Sequence, residues 1–137
     1  METTTKITVD WGDVDAMGHV SNLAILRYIQ SARVNICRAA GVMPEYISPK
    51  VGPIIASIDV KFRRPLFFPG EAVVVSRVEG RRTTSFTLSH RILDGEGGLI
   101  AEESEVMVYY DYEAGRKIPL PEGFMAEESA PRSGESK

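Results

Sequence analysis

Apolar residues change their spacing once along this chain, and the change divides a helix from a set of strands. From Asn22 to about Ala40 they recur at helical intervals. Ile25, Ile29, Ala32, Ile36 and Ala39 form one stripe, and Leu26, Tyr28 and Cys37 widen it. Ser21 or Asn22 can cap the start by accepting an orphan backbone N–H, and Gly41 can end the helix in a left-handed conformation. The stripe covers much of the girth, so other structure is expected to wrap the helix. Ahead of it, Lys6 to Asp10 reads as a short strand and Trp11 to Ser21 as a loop.

Beyond Pro53 the period falls to two. Ile54, Ala56, Ile58, Val60 and Phe62 are expected on one face of a strand, with Ser57, Asp59 and Lys61 on the other. Pro65, Pro69 and Gly70 break the pattern. Glu71 to Glu79 is a Val-rich strand, and Gly80-Arg81-Arg82 is read as the turn after it. Thr84, Phe86, Leu88, His90 and Ile92 form the expected inner face of the next strand. Asp94 to Gly98 is a hairpin loop, and Leu99 to Tyr112 a final strand with Ile100, Val106, Val108 and Tyr110 on one face. The order is strand, helix, then at least four strands in hairpin-like succession. This predicts an α+β fold, an antiparallel sheet with one long helix against it. One helix leaves sheet edges uncovered, so pairing with a second copy is expected.

The 137 residues fit one domain, placed at 1–125, with a polar tail at 126–137 expected to be disordered. A formal net charge of −3 argues against a nucleic-acid partner. No apolar run approaches membrane-spanning length, and Met-Glu-Thr-Thr-Thr-Lys has no h-region of a signal peptide. Cys37 is the single cysteine, which excludes an internal disulfide and a multi-cysteine zinc site and makes a reducing cytoplasm the expected location.

The chemistry concentrates in Trp11-Gly12-Asp13-Val14-Asp15-Ala16-Met17-Gly18-His19-Val20-Ser21-Asn22. Two carboxylates, a turn glycine and a histidine stand just ahead of a helix N-terminus, whose free N–H groups stabilise negative charge. Acyl transfer needs a group that attacks or activates water, and donors for an oxyanion. Asp15 can be that group, or it can organise an Asx turn. Asp13, two residues away, reads as structural. His19 can orient the loop, bond Asp15 or contact substrate. Gly18 suits a positive-φ turn and close backbone approach, and Asn22 is either a cap or an oxyanion donor. No metal is expected, because His90 is the only other histidine and no ligand spacing appears. Ser21 sits in no nucleophile elbow.

The twelve-residue motif resembles the signature of the 4-hydroxybenzoyl-CoA thioesterase-like family of hotdog-fold acyl-CoA thioesterases. Leu26-Arg27-Tyr28-Ile29-Gln30-Ser31-Ala32-Arg33 and Val60-Lys61-Phe62-Arg63-Arg64-Pro65-Leu66, ahead of Pro69-Gly70-Glu71, continue the likeness over about residues 6–120. The resemblance implies a curled antiparallel sheet around a central helix, assembled as a dimer or a dimer of dimers (a homotetramer). It implies an acyl-CoA substrate hydrolysed without a separate cofactor. It makes Asp15 the nucleophile or general base and the Asn22 backbone N–H the oxyanion donor. Ser21 stands where many relatives carry asparagine, so the backbone donor carries over and the side chain does not. Because CoA bears phosphates, a basic rim is expected from Arg63, Arg64, Arg81 and Arg82, with Thr83, Thr84 and Ser85 as hydroxyl partners. The competing functions are a non-catalytic acyl-thioester-binding module, a thioesterase acting on acyl carrier protein, and a hotdog dehydratase or hydratase.

Overall fold

The computed structural model describes residues 1–43 and 50–125. The tail expected at 126–137 lies outside the described residues. The elements run β1 (Glu2–Thr8), a 3-10 turn (Trp11–Asp13), α1 (Asn22–Ala39), β2 (Val51–Phe62), β3 (Glu71–Arg81), β4 (Ser85–Asp94), β5 (Leu99–Asp111) and the short β6 (Arg116–Lys117). The strands form one curled antiparallel sheet in the order β1-β3-β4-β5-β2, with β6 paired to β5. This is the hotdog arrangement that the resemblance implies. Among the described residues no helix is long and apolar enough to cross a membrane.

The helix forms where the 3.6-residue period lies, and its ends have identifiable causes. Ser21, rather than Asn22, is the N-cap, because its Oγ accepts the Ala24 N–H at 3.1 Å. Gly41 follows the C-cap Ala40 with φ +83°, and the Val42 N–H returns to the Cys37 carbonyl at 3.0 Å. The helix packs mainly on β1 and β3, and less on β4.

The core beneath the helix is divided. Ala24, Ile25, Tyr28, Ile29 and Ala32 pack with Ala72, Val74, Ile92 and Ala101 in one apolar cluster. Ile36, Cys37 and Ala40 pack with Phe86, Leu88 and Met107 in a second. A fully buried Ile or Leu contributes about 1.5–3 kcal/mol. Between the clusters, Arg33 of the helix pairs with Glu103 and Glu105 of the sheet, and His90 and Ser76 extend the layer from Glu105. On each element the polar residue falls between members of the two clusters.

That layer overturns the expected face of β5. The buried positions are Ala101, Glu103, Glu105 and Met107, whereas Val106, Val108 and Tyr110 lie on the other side. Val106, Val108 and Tyr110 share one face as grouped in sequence, but it is the outer one, and Ile100 departs from it. Ile100 is buried too, because it is the extra residue of a bulge between the pairs Ile92↔Ala101 and Leu93↔Leu99.

The expected face of β2 also changes. A bulge at Ala56 lies between the pairs Ile55↔Met107 and Ser57↔Val106. It places Ile54 opposite Val108 on the outer face, while Ile58, Val60 and Phe62 stand opposite Glu105, Glu103 and Ala101 on the inner one. β2 is an edge strand, and Ile58 and Phe62 remain 47% and 49% exposed.

Smaller boundaries move as well. β1 begins at Glu2 and ends at Thr8, because its threonines extend the pairing with β3. β3 continues through Gly80 and Arg81 by way of a bulge, so the turn falls at 82–84, and Thr84 precedes β4.

Candidate active site

Asp13 anchors the loop to the helix. Asp10 caps the 3-10 turn, with Gly12 N–H donating to its Oδ1 at 2.8 Å and its own N–H donating to Asp13 Oδ2 at 3.2 Å. The turn points the Asp13 carboxylate inward, where Tyr28 Oη donates to Oδ2 at 2.5 Å and the Arg27 guanidinium pairs with Oδ1. Burial alone would raise its pKa. The hydrogen bonds from Tyr28 and the Asp10 N–H, together with Arg27, hold it below the usual carboxylate range instead. Burial and the Asp13 charge raise the Tyr28 phenol in return. The Ser21 N–H also donates to the Asp13 carbonyl at 2.9 Å. Asp13 therefore has the structural role expected of it, through partners that lie one helix turn past the motif.

Asp15 starts a miniature hairpin. Its Oδ1 accepts the Met17 N–H at 2.9 Å, its N–H donates to the His19 carbonyl at 3.0 Å, and the Gly18 N–H donates to its carbonyl at 3.0 Å. Val14 and Val20 bridge across this turn. Gly18 has φ +85°, and a Cβ there would meet nothing within 4 Å, so backbone conformation and not crowding favours glycine. The Val20 N–H ties the hairpin to the Leu66 carbonyl at 2.8 Å.

Between the hairpin, the helix start and the 62–66 segment lies a cleft of about 340 Å³. His19, Asn22, Arg63 and Arg64 supply its polar lining, and Val20, Ile25, Phe62, Leu66 and Ile100 most of its apolar lining. The His19 ring lies edge-on to Phe67 at 6.3 Å, and its Nδ1 is 3.4 Å from the Val20 carbonyl. With Ser21 capping Ala24, the Asn22 N–H has no intrahelical partner. Asp15 does not line the cleft, but its backbone bond to His19 holds it beside a residue that does. Arg63 is forked onto Glu102, Nε at 2.9 Å and Nη2 at 2.7 Å, with both side chains partly exposed.

The expected basic rim divides into two places. Arg63 and Arg64 stand at the cleft. Arg81, Arg82 and Ser85 line a separate cavity of about 500 Å³. Ser85 pairs with Val108, eight residues along β5 from Ile100, which is roughly 26 Å of strand. There the Arg81 guanidinium lies 4.9 Å from the Phe124 ring centroid, a cation–π contact. Thr83 and Thr84 offer backbone carbonyls to Leu120 and Tyr109, both at 2.9 Å. Within one chain these residues do not join the cleft.

Sequence reasoning passed over Phe62 as a cleft residue, because a strand aromatic reads as core. It also left His90 alone on its strand. The sheet register instead brings His90, Glu103 and Glu105 together, with ligand-type atoms within 4.8 Å of one another.

Comparison with known proteins follows this geometry. The family model of the thioesterase-like superfamily matches residues 9–127. No curated protein matches the chain. Among solved structures, a candidate thioesterase from Pseudomonas aeruginosa is similar at 28% identity and TM-score 0.82, over 93% of this chain and 97% of that one. A thioesterase-superfamily protein from Jannaschia is 26% identical at TM-score 0.78, over 88% and 76%. A Staphylococcus aureus protein solved in complex with CoA shares the fold at TM-score 0.81 and 13% identity, over 94% and 82%.

Proposed function

The chain belongs to the thioesterase-like superfamily, and on that premise we propose that it hydrolyses acyl-CoA thioesters to free acid and CoA. The observation that carries this reading is the cleft that joins Asn22, at an open helix N-terminus, to His19 of the motif and to two arginines. In the proposed reaction the thioester carbonyl oxygen points at the Asn22 N–H. The Asp15 carboxylate attacks the carbonyl carbon or takes a proton from the attacking water. The tetrahedral oxyanion forms against the helix start, where N–H donors and dipole favour it. CoA thiolate then leaves with little need of a general acid, since its thiol is about as acidic as that of cysteine; where Asp15 is the nucleophile this leaves an acyl–Asp15 anhydride, which water hydrolyses to the free acid and the regenerated carboxylate. In this reading Arg63 and Arg64, which line the cleft, bind the CoA phosphates. The reaction needs no added cofactor.

The proposed active form is a homodimer or a dimer of dimers, in a cytoplasmic setting that suits the lone Cys37. The unpaired β2 edge and the exposed Ile58 and Phe62 beside it give a second copy an apolar seat. Arg81 and Arg82 can serve the same substrate only if a second copy presents them.

One observation favours a second reading. The Asp15 Oδ1 is already engaged by Met17 in an Asx turn, which suits a non-catalytic acyl-thioester-binding module. The test is thiol release from a panel of aliphatic and aromatic acyl-CoA esters, by wild type and Asp15→Asn. Loss of at least about 100-fold in the variant, with fold and oligomer intact, is expected. Near-normal turnover by Asp15→Asn would overturn its role. No release by wild type from any CoA ester, followed by release from acyl carrier protein, would move the substrate to that carrier. Silence with both would favour the binding module.

A further inference from the structure

The polar layer that divides the core holds more negative charge than its visible partners balance. Glu105 is fully served. Its Oε1 accepts Arg33 Nε at 2.7 Å and lies 3.2 Å from His90 Nε2, and its Oε2 accepts Arg33 Nη2 at 2.8 Å. His90 is served as well. Ser76 Oγ lies 2.7 Å from its Nδ1 and Glu105 Oε1 3.2 Å from its Nε2, so both ring nitrogens have partners. Glu103 is not served. Its side chain is wholly buried, neither carboxylate oxygen has a hydrogen-bond partner, and its nearest cation, Arg33 Nη2, is 3.6 Å away and committed to Glu105. An ionised, unpartnered carboxylate buried in a protein core is disfavoured strongly enough to force neutralisation.

From this geometry we infer that the layer is a buried proton-binding site, in which Glu103 is held as a neutral carboxylic acid beside the ionised Glu105.

Charge decides between a proton and a metal ion. With His90 neutral, Arg33 balances Glu105 and one negative charge is left. One proton cancels it, whereas a divalent cation on His90, Glu103 and Glu105 would leave a buried surplus of one positive charge. Glu103 faces Arg33 of α1, Glu105 of β5, its pairing partner His90 on β4 and the apolar Val60 opposite it on β2; Ser76 of β3 reaches the layer through His90, and Cys37 of α1 through Glu105 and Arg33. Cys37 is a neutral thiol, pushed up to about 12 by burial. Burial, then the neighbouring Glu105, raises the Glu103 carboxyl far above the usual range. Glu105 is held well below it by Arg33 and His90, against its own burial.

The site makes folding consume a proton. Below the ordinary carboxylate pKa both folded and unfolded chains carry it. Above that pKa the unfolded chain releases the proton and the folded chain keeps it. Stability from this group is therefore greatest in acid and falls as pH rises, until the folded site itself deprotonates.

The experiment is denaturant unfolding of the intact protein, wild type against Glu103→Gln, from about pH 5.5 to 8.5 at fixed protein concentration. Glutamine mimics the neutral acid in shape and charge. The wild-type folding constant should fall roughly tenfold per pH unit relative to the variant. Parallel pH profiles would overturn the inference. A second measurement needs no variant: infrared or carboxyl-carbon NMR spectra of glutamate-labelled wild type at neutral pH should show one protonated carboxylic acid. A fully ionised glutamate set would overturn it, as would zinc or manganese stabilising wild type but not Glu103→Gln.

Discussion

Tyr28→Phe removes one atom, and the structure says what that atom does. The phenol donates to Asp13 Oδ2 at 2.5 Å inside the protein, and Asp13 carries the loop that leads to the cleft. The phenyl ring still fills the space between helix and sheet, so no cavity term enters. What is lost is a hydrogen bond to a buried carboxylate, worth about 1.5–3 kcal/mol. Arg27 and the Asp10 N–H remain as partners, which favours the lower half of that range. For a chain of this length the change corresponds to a fall in Tm of about 5–8 °C. The variant should also unfold earlier in acid. Asp13 has a lowered folded-state pKa, so its contribution is present above the unfolded value and is lost as pH falls through the folded one. Weakening the bond moves that loss to higher pH. The assay is thermal unfolding at fixed protein concentration across about pH 3–7, with Asp13→Asn and the double variant closing a cycle. A Tm unchanged within 1 °C, or additive single effects, would refute the role given to this bond.

Two further outcomes follow from the same structure. Arg63→Ala should raise KM for an acyl-CoA more than for a truncated pantetheine thioester, because only the former carries the distal phosphates; equal effects would remove Arg63 from the CoA site. Ile58→Asp puts a charge on the exposed inner face of the β2 edge and should shift the oligomer toward monomer by light scattering; an unchanged mass would place the interface elsewhere.

The helix was legible in the sequence because its period, cap and terminating glycine agree: Ile25, Ile29, Ala32 and Ile36 are all buried, and Gly41 is left-handed as expected. The inner face of β4, from Phe86 to Ile92, was legible too, since His90 is tolerated there by an apolar pattern on either side. β5 was misread for a physical reason. Glu103 and Glu105 are inward only because Arg33, His90 and a protonatable neighbour receive them, and those partners lie up to 72 residues away in the chain. The β2 bulge at Ala56 carries no local mark either, since alanine fits both faces of a strand. At the site, the motif located the cleft through His19 and Asn22, while the split between Arg63 and Arg81 depends on sheet register and could not be read from composition.

The bulge at Ala56 bears on solubility as well as on shape. A straight edge strand of 12 residues with alternating isoleucines would be an open template for any extended peptide. One unpaired residue near its middle bends the edge and puts the hydrogen-bonding rhythm of its two halves out of step. An ordinary strand can then follow only half of it before losing register. A partner that pairs along the full length must carry the complementary kink, and a second copy of the same chain carries such a kink by symmetry. The irregularity thus makes the edge a poorer template for fibre-like growth.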